Sequence, residues 1–225
     1  MAPGSISNIS KLKALKCVEI SGKKISRVIT ELENYGVRDL RINELAIRIG
    51  EYDINGLQRL EECFNLESLD TFQFETKYCK LPDTSERDLK GFFSRLVNVK
   101  NLYLSPEILA FANIMGEFKP NTLEMFAFKQ TSHDLDSIYH ELEKHLRNQE
   151  ASIVAIRTGG YHPLLYFKDA FECVFEVHWK VDVDLIRYMK ENSSRYPKLK
   201  HLIIGNNYCF IERYGKEVVN IKRLG

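Results

Sequence analysis

The chain has 225 residues, 44% apolar and 28% charged, enough to form one large core of ordinary globular composition. Lys and Arg number 32 against 31 Asp and Glu, so no global field draws the protein to nucleic acid or an anionic membrane. No apolar run approaches the roughly 18 residues of a membrane span, and the start lacks a signal-peptide layout. The five cysteines, Cys17, Cys63, Cys79, Cys173 and Cys209, are odd in number with no C-x-x-C pair, which points to an intracellular location, cytoplasmic or nuclear, rather than secretion.

Taken in order, residues 1–8 are expected to be flexible. Leu12, Leu15 and Cys17 then form an L-x-x-L-x-L sentence with cysteine as a small hydrophobe. Ile25, Val28, Ile29 and Leu32 repeat at helical spacing until Gly36, which can stop the helix. The unit restarts at Ile42, Leu45 and Ile47, followed by a helix capped by Asn55 and carrying Leu57, Leu60, Cys63 and Phe64. Leu69, Phe72 and Phe74 predict a third strand. Thr84 or Ser85 caps the helix of Leu89, Phe92, Phe93 and Leu96.

The fourth unit is the plainest. Val99, Leu102 and Leu104 alternate as a half-buried strand, and Ser105, Pro106 and Glu107 supply the cap, the first helical position and the dipole-favouring carboxylate. Ile114, Met115 and Phe118 continue that helix. Leu123, Phe126 and Phe128 predict the fifth strand, and Leu135, Ile138, Leu142 and Leu146 the buried stripe of a helix starting at Ser132. Ile153 and Ile156 open a sixth strand, weakened by Thr158 and Gly159-Gly160. A seventh is predicted from Val174 to Trp179, with Trp179 on the core face beside Phe175 and Val177. A helix from about Asp182 carries Leu185, Ile186, Met189 and Tyr196, and Leu199, Leu202 and Ile204 give the eighth strand. Residues 206–225 predict a capping hairpin about Gly215 that covers the last open edge.

The matched positions Leu15, Leu45, Phe72, Leu102, Phe126, Ile156, Phe175 and Leu202 recur at intervals of 19 to 30 residues. One strand-helix unit cannot bury both its faces, so stacked neighbours must supply the core. The prediction is an α/β solenoid of about eight such units with a curved, mostly parallel sheet, forming a single domain over 1–225. A doubly wound α/β domain also alternates strands and helices, but its strands, buried on both faces, should be unbroken Val/Ile runs. Here Glu44, Gln73, Asn101, Lys129, Glu176 and His201 interrupt them.

These sentences resemble an irregular, intracellular leucine-rich repeat, whose length runs to about 20–29 residues, although the usual Asn after the last leucine is missing. Phe118-Lys119-Pro120-Asn121-Thr122-Leu123-Glu124 is similar to the F-K-P-G-T-L-E phrase of the FTH tails of nematode F-box proteins. Asn121 replaces Gly there, and both residues accept a positive φ. Tyr196-Pro197-Lys198-Leu199-Lys200-His201-Leu202 and Ile211-Glu212-Arg213 are similar in style to those tails. The resemblance implies the substrate-recognition part of an SCF-type ubiquitin ligase. Residues 1–11 are too short for the F-box, so the expectation is either the recognition half of such a protein, docked on a Skp-family adaptor by a segment outside this sequence, or a standalone adaptor.

No phosphate loop, G-x-S-x-G elbow or H-E-x-x-H motif appears, so no catalytic residue, metal ligand or cofactor is predicted. His133, His140 and His145 do not share a helix face. Cys63 lies on an apolar stripe with no activating His. Asp134, Asp136, Asp182 and Asp184 sit near helix starts, where carboxylates favour the dipole.

Residues alternating with the core leucines should line the concave sheet face: Lys16, Val18, Glu44, Arg48, Thr71, Gln73, Glu75, Asn101, Tyr103, Met125, Lys129, Arg157, Glu176, His178, His201 and Ile203. Their mixture of charge signs with Tyr, Met and Ile suits a protein partner. The predicted partner-binding residues are Arg48, Gln73, Tyr103, Met125, Lys129, Arg157, His178 and His201, with Tyr103 and Arg157 as anchors. The prediction is a non-enzymatic protein-recruiting module. The alternatives are an RNA-binding adaptor using Lys16, Arg48, Lys129 and Arg157, and a small-molecule enzyme on a doubly wound fold.

Overall fold

In the computed structural model the described residues are 15–50, 54–76, 85–104, 114–128, 146–158, 187, 190–204, 207–215 and 217–224. The fold is α/β with a mostly parallel, open sheet. It divides into two compact units, residues 1–99 with 107–118, and residues 100–106 with 119–225.

The first unit alternates β1 (Cys17–Gly22), α1 (Ile25–Asn34), β2 (Glu44–Ile49), α2 (Ile54–Cys63), β3 (Thr71–Thr76) and α3 (Ser85–Phe93). Its strands pair in parallel and in sequence order, because each is joined to the next by a crossover long enough to hold a helix. Val18, Leu45 and Phe72 form one rung and Ile20, Ile47 and Phe74 the next. Phe92 and Phe93 of α3 pack on Phe72 with ring centroids 5.6 and 6.1 Å away. α1 stops as expected at Gly36, whose φ of 74° lets the Val37 amide bond the Leu32 carbonyl and its own amide that of Glu33.

The register corrects the first repeat. Cys17 pairs with Glu44, so the sentence is Leu15-Val18-Ile20 rather than Leu12-Leu15-Cys17. Both versions satisfy alternation in the sequence, and a one-residue slip exchanges the faces. Val18 therefore joins the core row, and Cys17, Glu19 and Ser21 take the opposite face. α2 begins at Ile54, which places Asn55 inside the first turn rather than at the cap.

The second unit holds β4 (Asn101–Leu104), β5 (Met125–Phe128), β6 (Ala155–Thr158) and β7 (His201–Ile204), all parallel and in sequence order. The antiparallel hairpin of β8 (Asn207–Tyr214) and β9 (Glu217–Leu224) follows. The hairpin turns at Gly215, φ 61°, and pairs with β7 as expected. β6 pairs directly with β7, joining Ile156 to Leu202, which corrects the repeat order: no strand from Val174–Trp179 stands between them. That segment lies outside the described residues, as do the helix predicted after Ser105 up to Asn113, and the helix from Ser132 to His145. At 114–117 the chain forms a short 3-10 turn.

Backbone geometry repeats with the sentence. Entering each following strand, two successive amides converge on one carbonyl of the strand before. In the first unit Asn43 and Glu44 bond Lys16 O, and Asp70 and Thr71 bond Asn43 O. In the second, Glu124 and Met125 bond Lys100 O, Val154 and Ala155 bond Glu124 O, and Lys200 and His201 bond Val154 O. These carbonyls all follow the first apolar residue of the sentence.

Side chains staple the turns before the strands. Ser68 Oγ donates to Ile42 O at 2.8 Å, and Ser152 Oγ donates to Leu123 O at 2.5 Å, from equivalent positions. The fully buried Gln149 accepts the Thr122 and Leu123 amides at 3.0 Å and donates to Lys119 O. At the end of the unit Arg213 of β8 plays the corresponding part, donating to the carbonyls of Ser193, Tyr196 and Leu199. Gln149→Ala strands two backbone amides and is expected to cost about 2 kcal/mol or more, read as a lower urea midpoint with faster hydrogen exchange at Thr122 and Leu123.

α1 and α2 pack tightly at Gly56, where an added Cβ would lie 2.5 Å from Ser26 N and 2.6 Å from Ile25 Cβ. Gly56→Ala therefore forces the helices apart, and although it favours helix locally it should lower stability by about 1–3 kcal/mol in urea unfolding.

Candidate protein-binding face

In the first unit the face opposite the core row carries Glu19, Arg48, Gln73 and Glu75. Arg48 is not available to a partner in the way the sequence implied. Its guanidinium donates to Glu19 Oε1 at 2.8 Å and lies 3.4 Å from Glu75 Oε2, so it bridges strands on either side of its own. Gln73 and Glu75 are buried, at 2% and 5% exposure. Arg48→Ala would leave the Glu75 carboxylate buried beside a lost cation. A destabilisation of about 1–3 kcal/mol is expected in urea unfolding, partly restored when Glu75→Gln is added, because an uncompensated buried charge is the source of the cost.

In the second unit the register aligns two rows on that face. Asn101, Met125, Ala155, His201 and Phe210 form one; Tyr103, Ala127, Arg157, Ile203 and Tyr208 form the other. Tyr103 is 4% exposed and packs with the buried Ala127, while Met125 lies half-buried against them. Tyr103 thus differs from the exposed anchor expected: it is a packed residue, and its substitution would disturb the fold as well as any partner contact. Arg157 takes its expected register position opposite Ile203. Lys129, Glu176 and His178 lie outside the described residues.

Met125, Ala155, His201, Ile203, Tyr208 and Phe210 are half-buried. The His201 ring lies 5.4 Å from that of Tyr208 and 5.6 Å from that of Phe210, and its Nδ1 is in hydrogen-bond contact with the Tyr208 hydroxyl. Burial, with Lys200 adding to it, holds the His201 imidazole below the usual histidine range, and burial raises the Tyr208 phenol. Both are therefore uncharged at neutral pH. Beyond Phe210 the face turns polar, with Lys222 Nζ paired to Glu212 at 2.6 Å. The face thus has an apolar, aromatic centre beside a charged margin.

Tyr208 and Phe210, expected only as part of the cap, also lie on this face. Their alternation with the buried Cys209 and Ile211 carries the signal, but only the antiparallel register to Ile203 and His201 assigns the side. Asn121 adopts a φ of 56°, as its replacement of Gly implied, and the phrase around it forms the turn stapled by Gln149.

Burial pushes the Cys63 thiol up to about 11, chiefly by desolvation, so at neutral pH it is a core thiol rather than a thiolate. Among the described residues no group of three or more His, Cys, Asp or Glu is placed to hold a metal, and no helix is long and apolar enough to cross a membrane. No protein-family model matches the chain. No curated protein matches it.

Proposed function

We propose that the chain is a non-enzymatic protein-protein interaction module, a leucine-rich-repeat-like solenoid that recruits a protein partner on the sheet face of its second unit. The observation that carries this reading is the series of half-buried residues on successive strands β5 to β8, Met125, Ala155, His201, Ile203, Tyr208 and Phe210, in which the His201 ring lies beside those of Tyr208 and Phe210. Large apolar and aromatic side chains gathered on one face bury more apolar area when a partner covers them. The repeated two-amide rung and the sequence-ordered parallel strands favour a stacked-repeat architecture.

The narrower proposal is substrate recognition within an SCF-type ubiquitin ligase, on the strength of the FTH-like phrase at 118–124. It rests on analogy between sequences. An RNA-binding reading loses one of its four cations to the carboxylates of Glu19 and Glu75.

The test is affinity capture from a lysate of the source organism, comparing the native chain with the Met125→Ala/Phe210→Ala double variant, whose fold is checked by circular dichroism. The expected result is one protein bound by the native chain and weakened about 30-fold or more by the variant, the loss of roughly 2 kcal/mol typical of a hot spot. Capture that the variant leaves unchanged moves the site elsewhere, and capture of only nuclease-sensitive ribonucleoprotein replaces the reading with RNA binding. For the ligase proposal, the captured protein should be ubiquitinated less in cells when the gene encoding this chain is deleted.

A further inference from the structure

This inference rests on the proposed partner face and concerns how that face is regulated. The Tyr208 hydroxyl meets Nδ1 of His201, and the imidazole lies close to the Tyr208 and Phe210 rings. A phenol is a much stronger acid than a neutral imidazole N–H, and an imidazole lone pair a much stronger base than a phenol oxygen. With a neutral ring the hydroxyl therefore donates to Nδ1, and Nε2 carries the ring hydrogen. The phenol oxygen then offers only lone pairs to a group docked on the face.

A proton taken from solvent onto Nδ1 reverses the bond. The new N–H donates to the phenol oxygen, and the hydroxyl hydrogen turns away from the ring. The ring gains one positive charge. We propose that the His201–Tyr208 pair is a proton-operated switch of hydrogen-bond polarity on the partner face, an acceptor at Tyr208 when His201 is neutral and a donor when it is protonated.

Among the described residues the titratable and charged groups around the pair are few. Lys200 precedes His201 on β7. Tyr208 and Glu212 lie on β8, and Lys222 on β9 is in register with Phe210 and paired to Glu212. β6 places Ala155 opposite His201 and Arg157 opposite Ile203. Burial and Lys200 disfavour the imidazolium, and a hydrogen bond accepted by the neutral ring disfavours it further. The neutral state is accordingly the resting one at neutral pH, and the switch operates on the acid side of the ordinary histidine midpoint. A partner N–H that donates to the Tyr208 oxygen is held at neutral pH and released on acidification.

The experiment is nitrogen-resolved NMR of the histidine rings in the full chain, with the His201 signals assigned by their loss in His201→Gln. At neutral pH, Nδ1 is expected to be the unprotonated nitrogen, with a titration midpoint below about 6.5. Tyr208→Phe should raise that midpoint by about half a unit or more while circular dichroism stays unchanged. A neutral ring protonated at Nδ1, or a midpoint that Tyr208→Phe leaves in place, overturns the switch. Once a partner is in hand, its binding should weaken on acidification, and Tyr208→Phe should remove that pH dependence. Binding that is insensitive to pH overturns the regulatory role. Failure to find a partner at any pH counts against the binding face alone, since the NMR measurement needs none.

Discussion

The structure depends on the paired amides that close on a single carbonyl at the start of each following strand. Lys16, Asn43, Lys100, Glu124 and Val154 occupy one position in the repeated sentence, and the carbonyl of each receives the next strand within its own unit. A parallel ladder has evenly spaced, slanted bonds that do not by themselves forbid a shift of register. Anchoring the first residues of a strand removes that freedom. The alternation that follows then sends Leu45, Phe72, Leu102, Phe126, Ile156 and Leu202 inward.

The side-chain staples work on the same joint from the other side. Ser68, Ser152, Gln149 and Arg213 satisfy backbone groups in turns that the stacking would otherwise bury unpaired. Ser68 and Ser152 recur at one position of the sentence, whereas Gln149 and Arg213 satisfy their turns with different groups, so only the serine repeats as a polar signature in the sequence. The Asn121 turn belongs to this system, with a positive φ at Asn121 and the Thr122 and Leu123 amides handed to Gln149.

The two units treat the sheet face opposite the core differently. In the first, Arg48 forms ion pairs with Glu19 and Glu75 on the strands either side of its own, an arrangement that holds its charge within the sheet. In the second, Met125, Ile203, Tyr208 and Phe210 supply apolar area, and the polar atoms of His201 and Tyr208 are turned on each other. Arg48, a candidate contact in the sequence, is thus internally paired, while Tyr208 and Phe210, expected in the cap, supply candidate contacts.

The sequence alone determined the alternation of strands and helices in the first unit, the stop at Gly36, the terminal hairpin about Gly215 and most of the inward rows, because each follows from local periodicity or from a backbone requirement of one residue. It could not decide the face of β1, where Leu15–Cys17 and Val18–Ile20 alternate equally well, until pairing with Glu44 fixed the register. Nor could it join Ile156 to Leu202 across a long insertion, or tell that Tyr103 and Gln73 are covered. Those outcomes are set by contacts between residues distant in the chain. Burial and register are properties of neighbours, and only the tertiary structure supplies the neighbours.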